Sequence, residues 1–212
     1  MREVSLYRPR ILLLLCLRSS NAMTAHTIKL YTHTACPFAQ RVWIALEASG
    51  LSFEKVDVDL YGSGGFDKSQ LKAVEASGGL SPKGYIPVMS IGDEVIRESS
   101  VLVQRVASMA PTLQPELRSE AEELISLCNA LPKLTRSREL DDLMRKADSA
   151  CATGAFLAGD RFSIADACLL PFLQRVEEDI PKDAGNLKAY MARAHATPAF
   201  AKTVVSSWWW WW

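Results

Sequence analysis

The stretch TACPFAQRVW, residues 34–43, sets a lone cysteine directly before a proline and then opens an amphipathic pattern. The Cys36 sulfur can be a packing atom, half of a disulfide, a metal ligand or a nucleophile. The remaining cysteines, at 16, 128, 151 and 168, form neither a CxxC pair nor a Cys/His cluster of zinc-ligand spacing, so no disulfide framework or metal site is indicated. Pro37 suits the first helical position, Phe38, Val42, Ala45 and Leu46 recur at helical spacing, and Gly50 suits the C-terminal cap. Cys36 therefore stands at a helix start, facing unpaired backbone N–H groups and the positive end of the helix dipole, both of which favour thiolate. Such placement can bring a cysteine pKa from about 8.5 into a range of roughly 3.5 to 7.5. That context favours a reactive Cys36 over an inert apolar one. Arg41 could add positive field but reads as an exposed helix arginine. Cys128, Cys151 and Cys168 fall on apolar helix faces as packing residues. His26, His33 and His195 lack the spacing of a ligand set or triad and are assigned no chemistry.

The elements that must hold this sulfur come from a 212-residue chain with 24 basic and 24 acidic side chains, a balance that argues against a dedicated nucleic-acid binder. Residues 1–22 differ in character from the rest of the chain: Arg2, Arg8 and Arg10 precede ILLLLCL, a run too short for the roughly 20 apolar residues of a membrane span. This segment reads as a targeting signal or a dispensable leader, with Met23 as an alternative start. WWWWW at 208–212 would suit a membrane interface but is given no functional weight.

Residues 27–33 (TIKLYTH) and 52–60 (SFEKVDVDL) read as strands flanking the helix that Cys36 opens, which makes them parallel neighbours. The glycine-rich YGSGGF lacks the ordered glycines and Lys-Ser/Thr of a phosphate loop, so flexibility is its reading. A short polar helix, DKSQLKAVEAS, comes next. YIPVMSIGDEVIRES gives two strands around Gly92 and Asp93, and Ser99 or Ser100 can cap the next helix. APTLQPE at 110–116 interrupts all periodicity and marks a domain boundary. Everything beyond reads helical, including the nearly all-apolar DRFSIADACLLPFLQRV, in which Ser163 and Asp166 form a cap of the capping-box type. The organisation is a thioredoxin-like α/β domain at 27–109 (βαβαββα), a linker at 110–116, an all-α domain at 117–206 and a tryptophan-rich tail at 207–212.

LYTHTACPFAQRVWIALEASGLSFEKVDVDL, SPKGYIPVM, VIRESSVLVQ and FLAGDRFSIADACLLPF, in that order and spacing, resemble a cytosolic glutathione transferase over almost all of 27–205. CPFAQRVW is most similar to the cysteine-type omega, lambda and dehydroascorbate-reductase classes. The resemblance implies that Pro87 is cis and exposes the Ile86 backbone to glutathione's cysteinyl part, since X-Pro bonds alone reach cis at low cost. It implies that Ser99 and the helix start behind it hold the γ-glutamyl carboxylate while Glu98 meets the ammonium. Lys68, or alternatively Lys72, would meet the glycyl carboxylate. The implied chemistry is glutathione-dependent thiol transfer through a Cys36 mixed disulfide, as a thioltransferase or dehydroascorbate reductase, with glutathione as co-substrate and no metal. Ala39 replaces the second cysteine of a CxxC, leaving a monothiol route. Tyr31, in the strand where tyrosine-type relatives keep a catalytic hydroxyl, reads as packing.

The helical domain reads as shortened in its first two helices, which wall the second-substrate pocket in this family. The implied partners are glutathione, a small disulfide or electrophile and a possible homodimer partner, with no nucleic acid and no stable membrane insertion. The expected location is cytoplasmic, or an organelle if residues 1–22 are a true leader. The competing reading is a non-catalytic interaction module built on the same fold.

Overall fold

The computed structural model describes residues 27–62, 64–131 and 137–205. The leader at 1–22, Cys16, His26 and the tryptophan tail lie outside the described residues.

Four short strands form the sheet: β1 (Ile28–Thr32), β2 (Phe53–Asp57), β3 (Val88–Ile91) and β4 (Glu94–Arg97), in the order β2-β1-β3-β4. β1 and β2 run parallel, with Ile28 opposite Phe53, because helix α1 (Pro37–Ser49) carries the chain across between them. β3 returns antiparallel to β1, with Leu30 opposite Met89, and the Gly92–Asp93 turn brings β4 back beside β3. α1 ends where the sequence places its cap: Gly50 has φ +69, a left-handed conformation that side chains with a Cβ resist. α2 (Lys68–Ser77) opens with a full capping box, Asp67 accepting from the Ser69 and Gln70 amides while the Gln70 side chain accepts from the Asp67 amide. α3 (Ser99–Met109) completes the βαβαββα unit.

The linker is ordered: Pro111–Leu113 forms a 3-10 turn and Leu113 is buried. α4 (Arg118–Ala130) and α5 (Arg138–Ala150) come next at 13 residues each, then α6 (Ile164–Arg175), α7 (Gly185–His195) and the short α8 (Pro198–Ala201). Every residue of α6 from Ile164 to Leu173 is buried, as its unbroken apolar run predicts. Its start is fixed by Asp166, wholly buried, which accepts from the Ser163 amide and hydroxyl and from the Leu157 amide at 2.8–3.0 Å. Asp166 is structural, as read from the sequence.

The apolar interior does not respect the linker. One continuous core runs from Ile28 and Leu30 through Val42 and Leu46 of α1 and Val106 of α3 to Leu143, Leu169, Leu173 and Phe200. α1 packs on α3, α6 and α8, so the helix that Cys36 opens is clamped between the two halves of the chain. A smaller cluster of Tyr31, Val58, Leu71 and Val88 joins the sheet to α2. Tyr31 packs against Phe66 there, in agreement with its reading as a packing residue.

Candidate active site

Cys36 is the N-cap of α1, in extended backbone (φ −92, ψ 112), its amide bonded to the His33 carbonyl and its carbonyl accepting from Ala39 and Gln40. It is partly exposed, whereas Cys128, Cys151 and Cys168 are buried. Burial pushes those three thiols up to about 12, 12 and 11, so they are inert at neutral pH, in keeping with packing roles.

The electrostatics of Cys36 differ from the sequence-based expectation of a strongly acidic thiol. Burial pushes its pKa up; the amides of Ala39 and Phe38, and behind them Arg175 and Arg41, pull it down, and burial is the largest of these effects. The sulfur makes no hydrogen bond of capping geometry. A helix start therefore offsets the cost of desolvating the thiolate here without overcoming it.

Arg41 is also not the exposed helix arginine that its pattern predicts: only 1% of it is exposed. α6 packs over that face of α1, and the guanidinium carbon lies 5.3 Å from the Phe38 ring centroid and 4.9 Å from that of Phe172. Nη1 donates to Asn129 Oδ1 at 2.8 Å and Nη2 to the Cys128 sulfur at 3.8 Å, while Nε has no acceptor. Among the described residues no carboxylate lies within ion-pair distance of it.

A groove of about 450 Å³ runs between the first helix and the β3–α3 region. Phe38, Arg41 and Asn129 line one part, and Ile86, Pro87, Glu98 and Ser99 line another, joined by Lys83, Tyr85 and Arg97. The Ile86–Pro87 bond is cis. Glu98 is the one non-glycine among the described residues with positive φ, +73, a conformation that costs on the order of 1 kcal/mol and recurs at functional sites. Glu98, not Ser99 or Ser100, is the N-cap of α3, and no side chain caps that helix. The expected serine cap is absent because Ser99 is already the first helical residue; the first-turn amides are left for another acceptor.

Lys68 and Lys72 stand apart from the groove. Both are exposed on α2, and the Lys72 stem lies against Gly84, whose φ of +68 and tight surroundings suit glycine. The lysine that lines the groove is Lys83, with Nζ 3.8 Å from a Glu98 carboxylate oxygen. The loop carrying it is held by Glu75 of α2, fully buried, which accepts from the Lys83 and Gly84 amides at 2.7 and 2.8 Å and faces Arg97 at 3.7 Å. Neither Lys83 nor Glu75 was singled out from sequence. The available signal was Glu75 itself, a charge four residues after Leu71 on the apolar side of α2.

Residues 30–115 match the family model for the glutathione S-transferase N-terminal domain, and residues 136–193 match that for the C-terminal domain. The chain belongs to the cytosolic glutathione S-transferase superfamily. Similar members include "Protein IN2-1" of Zea mays, 28% identical over 84% of this chain and 80% of that protein. "Probable glutathione S-transferase DHAR1, cytosolic" of Oryza sativa subsp. japonica is 27% identical over 79% of this chain and 83% of that one. The crystal structure of glutathione transferase Omega 2C from Trametes versicolor shares the fold, with a TM-score of 0.69 at 22% identity, covering 87% of this chain and 96% of that one. The thioredoxin-like domain followed by helices is thus the glutathione S-transferase fold. Among the described residues of this glutathione S-transferase, no helix is long and apolar enough to cross a membrane.

Proposed function

We propose that the protein is a cysteine-type glutathione S-transferase that carries out glutathione-dependent thiol transfer, with Cys36 as nucleophile and Ile86, Pro87, Glu98 and Ser99 holding glutathione. The observation that carries this reading is Cys36 itself, a partly exposed residue at the start of α1, two positions before the groove-lining Phe38, whose described fellow cysteines are all buried. The Cys36 thiolate attacks the glutathione sulfur of a glutathionylated substrate; a Cys36–glutathione disulfide forms and the substrate leaves as a thiolate that takes up a proton. A second glutathione, as thiolate, attacks the glutathione sulfur of that mixed disulfide, releasing oxidised glutathione and restoring Cys36. Two electrons pass from glutathione to the substrate disulfide. Dehydroascorbate is an alternative oxidant, two glutathiones supplying the same two electrons and two protons.

Lys83, which lines the groove as Lys68 and Lys72 do not, is the lysine assigned to a carboxylate of the tripeptide in their place. The uncapped first turn of α3 suits the γ-glutamyl carboxylate. A thiol pushed up by burial reacts more slowly at pH 7 than an acidic one, but each thiolate is the stronger nucleophile, so turnover is expected to rise with pH above neutrality.

The upward push on Cys36 also favours a second reading, a glutathione-binding module without turnover. A glutathione-coupled assay with hydroxyethyl disulfide or dehydroascorbate separates the two. Turnover is expected, reduced roughly 100-fold or more in Cys36→Ala, with chlorodinitrobenzene conjugation much weaker. Retention on immobilised glutathione with no turnover would establish the module instead.

A further inference from the structure

The sulfur sits on the thioredoxin-like half of the chain, but one of the cations near it comes from the helical half. Arg175 is the last residue of α6. Its Nη1 donates to Gln40 Oε1 at 2.5 Å and to the Pro171 carbonyl at 2.6 Å; Nη2 reaches the Thr34 and Ala35 carbonyls, both at 3.4 Å. Those two carbonyls end the turn immediately before Cys36. Gln40 is tied in turn to Gln174 at 3.0 Å and to the Thr203 carbonyl at 2.8 Å, and Gln174 donates to the Val205 carbonyl at 3.0 Å. The cysteine turn, α1, α6 and the chain after α8 thus meet in one polar network at the seam.

We propose that Arg175 is a positioning residue for Cys36: its guanidinium fork grips the turn that presents the sulfur and sets a positive charge behind it, so that the helical half sustains the reactivity of a thiol on the other. The inference rests on the reading of Cys36 as the reacting thiol. The fork meets four described acceptors on two helices and a turn at once, but it is the positive charge it carries, which an ammonium at the same place would share, that acts on the sulfur. Without the guanidinium, the Thr34 and Ala35 carbonyl dipoles would leave negative charge uncompensated beside the sulfur.

The electrostatic effects agree with that placement. Burial pushes Arg175 down to about 10, and the Cys36 thiolate is what pulls it back up, the reciprocal of the pull Arg175 exerts on Cys36. Two other titratable groups lie around the sulfur. Arg41, on α1 itself, adds a second positive field. His33, in the same turn, accepts the Ala35 amide on Nδ1 at 3.1 Å; burial lowers its pKa, with Asp57 and Asp59 opposing that shift and Lys55 adding to it.

The test is the pH profile of iodoacetamide alkylation, followed on the Cys36 peptide by mass spectrometry in the full-length protein. In Arg175→Gln the midpoint is expected to rise by about one unit, which at pH 7 slows alkylation about tenfold. Arg175→Lys, which keeps the charge, should hold the wild-type midpoint. An unchanged midpoint in folded Arg175→Gln, or an equal rise in Arg175→Lys, overturns the proposal. Should Arg175→Gln fail to fold, Arg175→Met takes its place: a rise of about one unit supports the proposal and a midpoint at the wild-type value refutes it. Alkylation requires neither glutathione nor turnover, so a wild-type protein that proves inactive in the coupled assay leaves this measurement intact.

Discussion

Arg41 stands at odds with the usual terms for burying charge. A guanidinium taken out of water costs several kcal/mol unless an ion pair and full hydrogen bonding compensate, and Arg41 has neither: two aromatic faces, one amide oxygen, one weak sulfur acceptor and an empty Nε. Its charge does, however, favour the Cys36 thiolate. Arg41→Met, which keeps the apolar stem between Phe38 and Phe172, is therefore expected to leave stability within about 1 kcal/mol of wild type or to raise it, while slowing Cys36 alkylation at pH 7. Urea unfolding and alkylation kinetics on the same sample check this. A loss of several kcal/mol would show the charge to be part of what stabilises the fold. Arg41 as an exposed residue was the reasonable reading of a helix pattern, because nothing in residues 36–50 reveals that α6 covers that side of α1. Cys36 at a helix start was legible, but the size of the desolvation opposing its ionisation depends on neighbours remote in sequence.

At the scale of single elements, the start of α6 is the most strictly determined feature. Asp166 closes its capping box and also accepts the Leu157 amide from the preceding loop, so its removal strands three buried donors. At about 1 kcal/mol or more each, Asp166→Ala is expected to cost about 3 kcal/mol or more, measurable by urea denaturation. Burial pushes the Asp166 carboxyl up to about 6, against the Leu157 and Ser163 amides. An acid whose folded pKa lies above its unfolded value of about 3.9 binds more protons when folded, so its contribution to stability is full below pH 4 and falls as pH rises to 6. Asp166→Asn should accordingly cost more at pH 4 than at pH 7; the reverse order would mean that the native state requires the ionised form. The capping box was readable because Ser163 and Asp166 are three residues apart and both atoms it needs are local. The brace that Glu75 gives to the Lys83–Gly84 loop was not, since donors and acceptor are eight and nine residues apart across a turn of undefined path.

For the whole molecule, a core continuous across the linker predicts cooperative behaviour. Phe172 of α6 packs edge-on to Phe38 of α1 and lies under Arg41, so truncating it opens a void at the seam. Phe172→Ala should cost about 3–5 kcal/mol, and both halves should unfold in a single transition, with far- and near-ultraviolet circular dichroism coincident in urea. Two separated transitions would show the halves to be independent. The amino-acid sequence by itself determined the order of elements, the cysteine at the start of α1, the Ile86–Pro87 pair and the Ser163–Asp166 cap, because each arises from periodicity, backbone chemistry or contacts within a few residues. Only the tertiary structure decided which cations reach the sulfur, which lysine lines the groove and that Arg41 is buried. Those outcomes depend on how α6 docks against α1 and how the loop before Ile86 folds back on α2, and both are set by packing between segments that lie far apart along the chain.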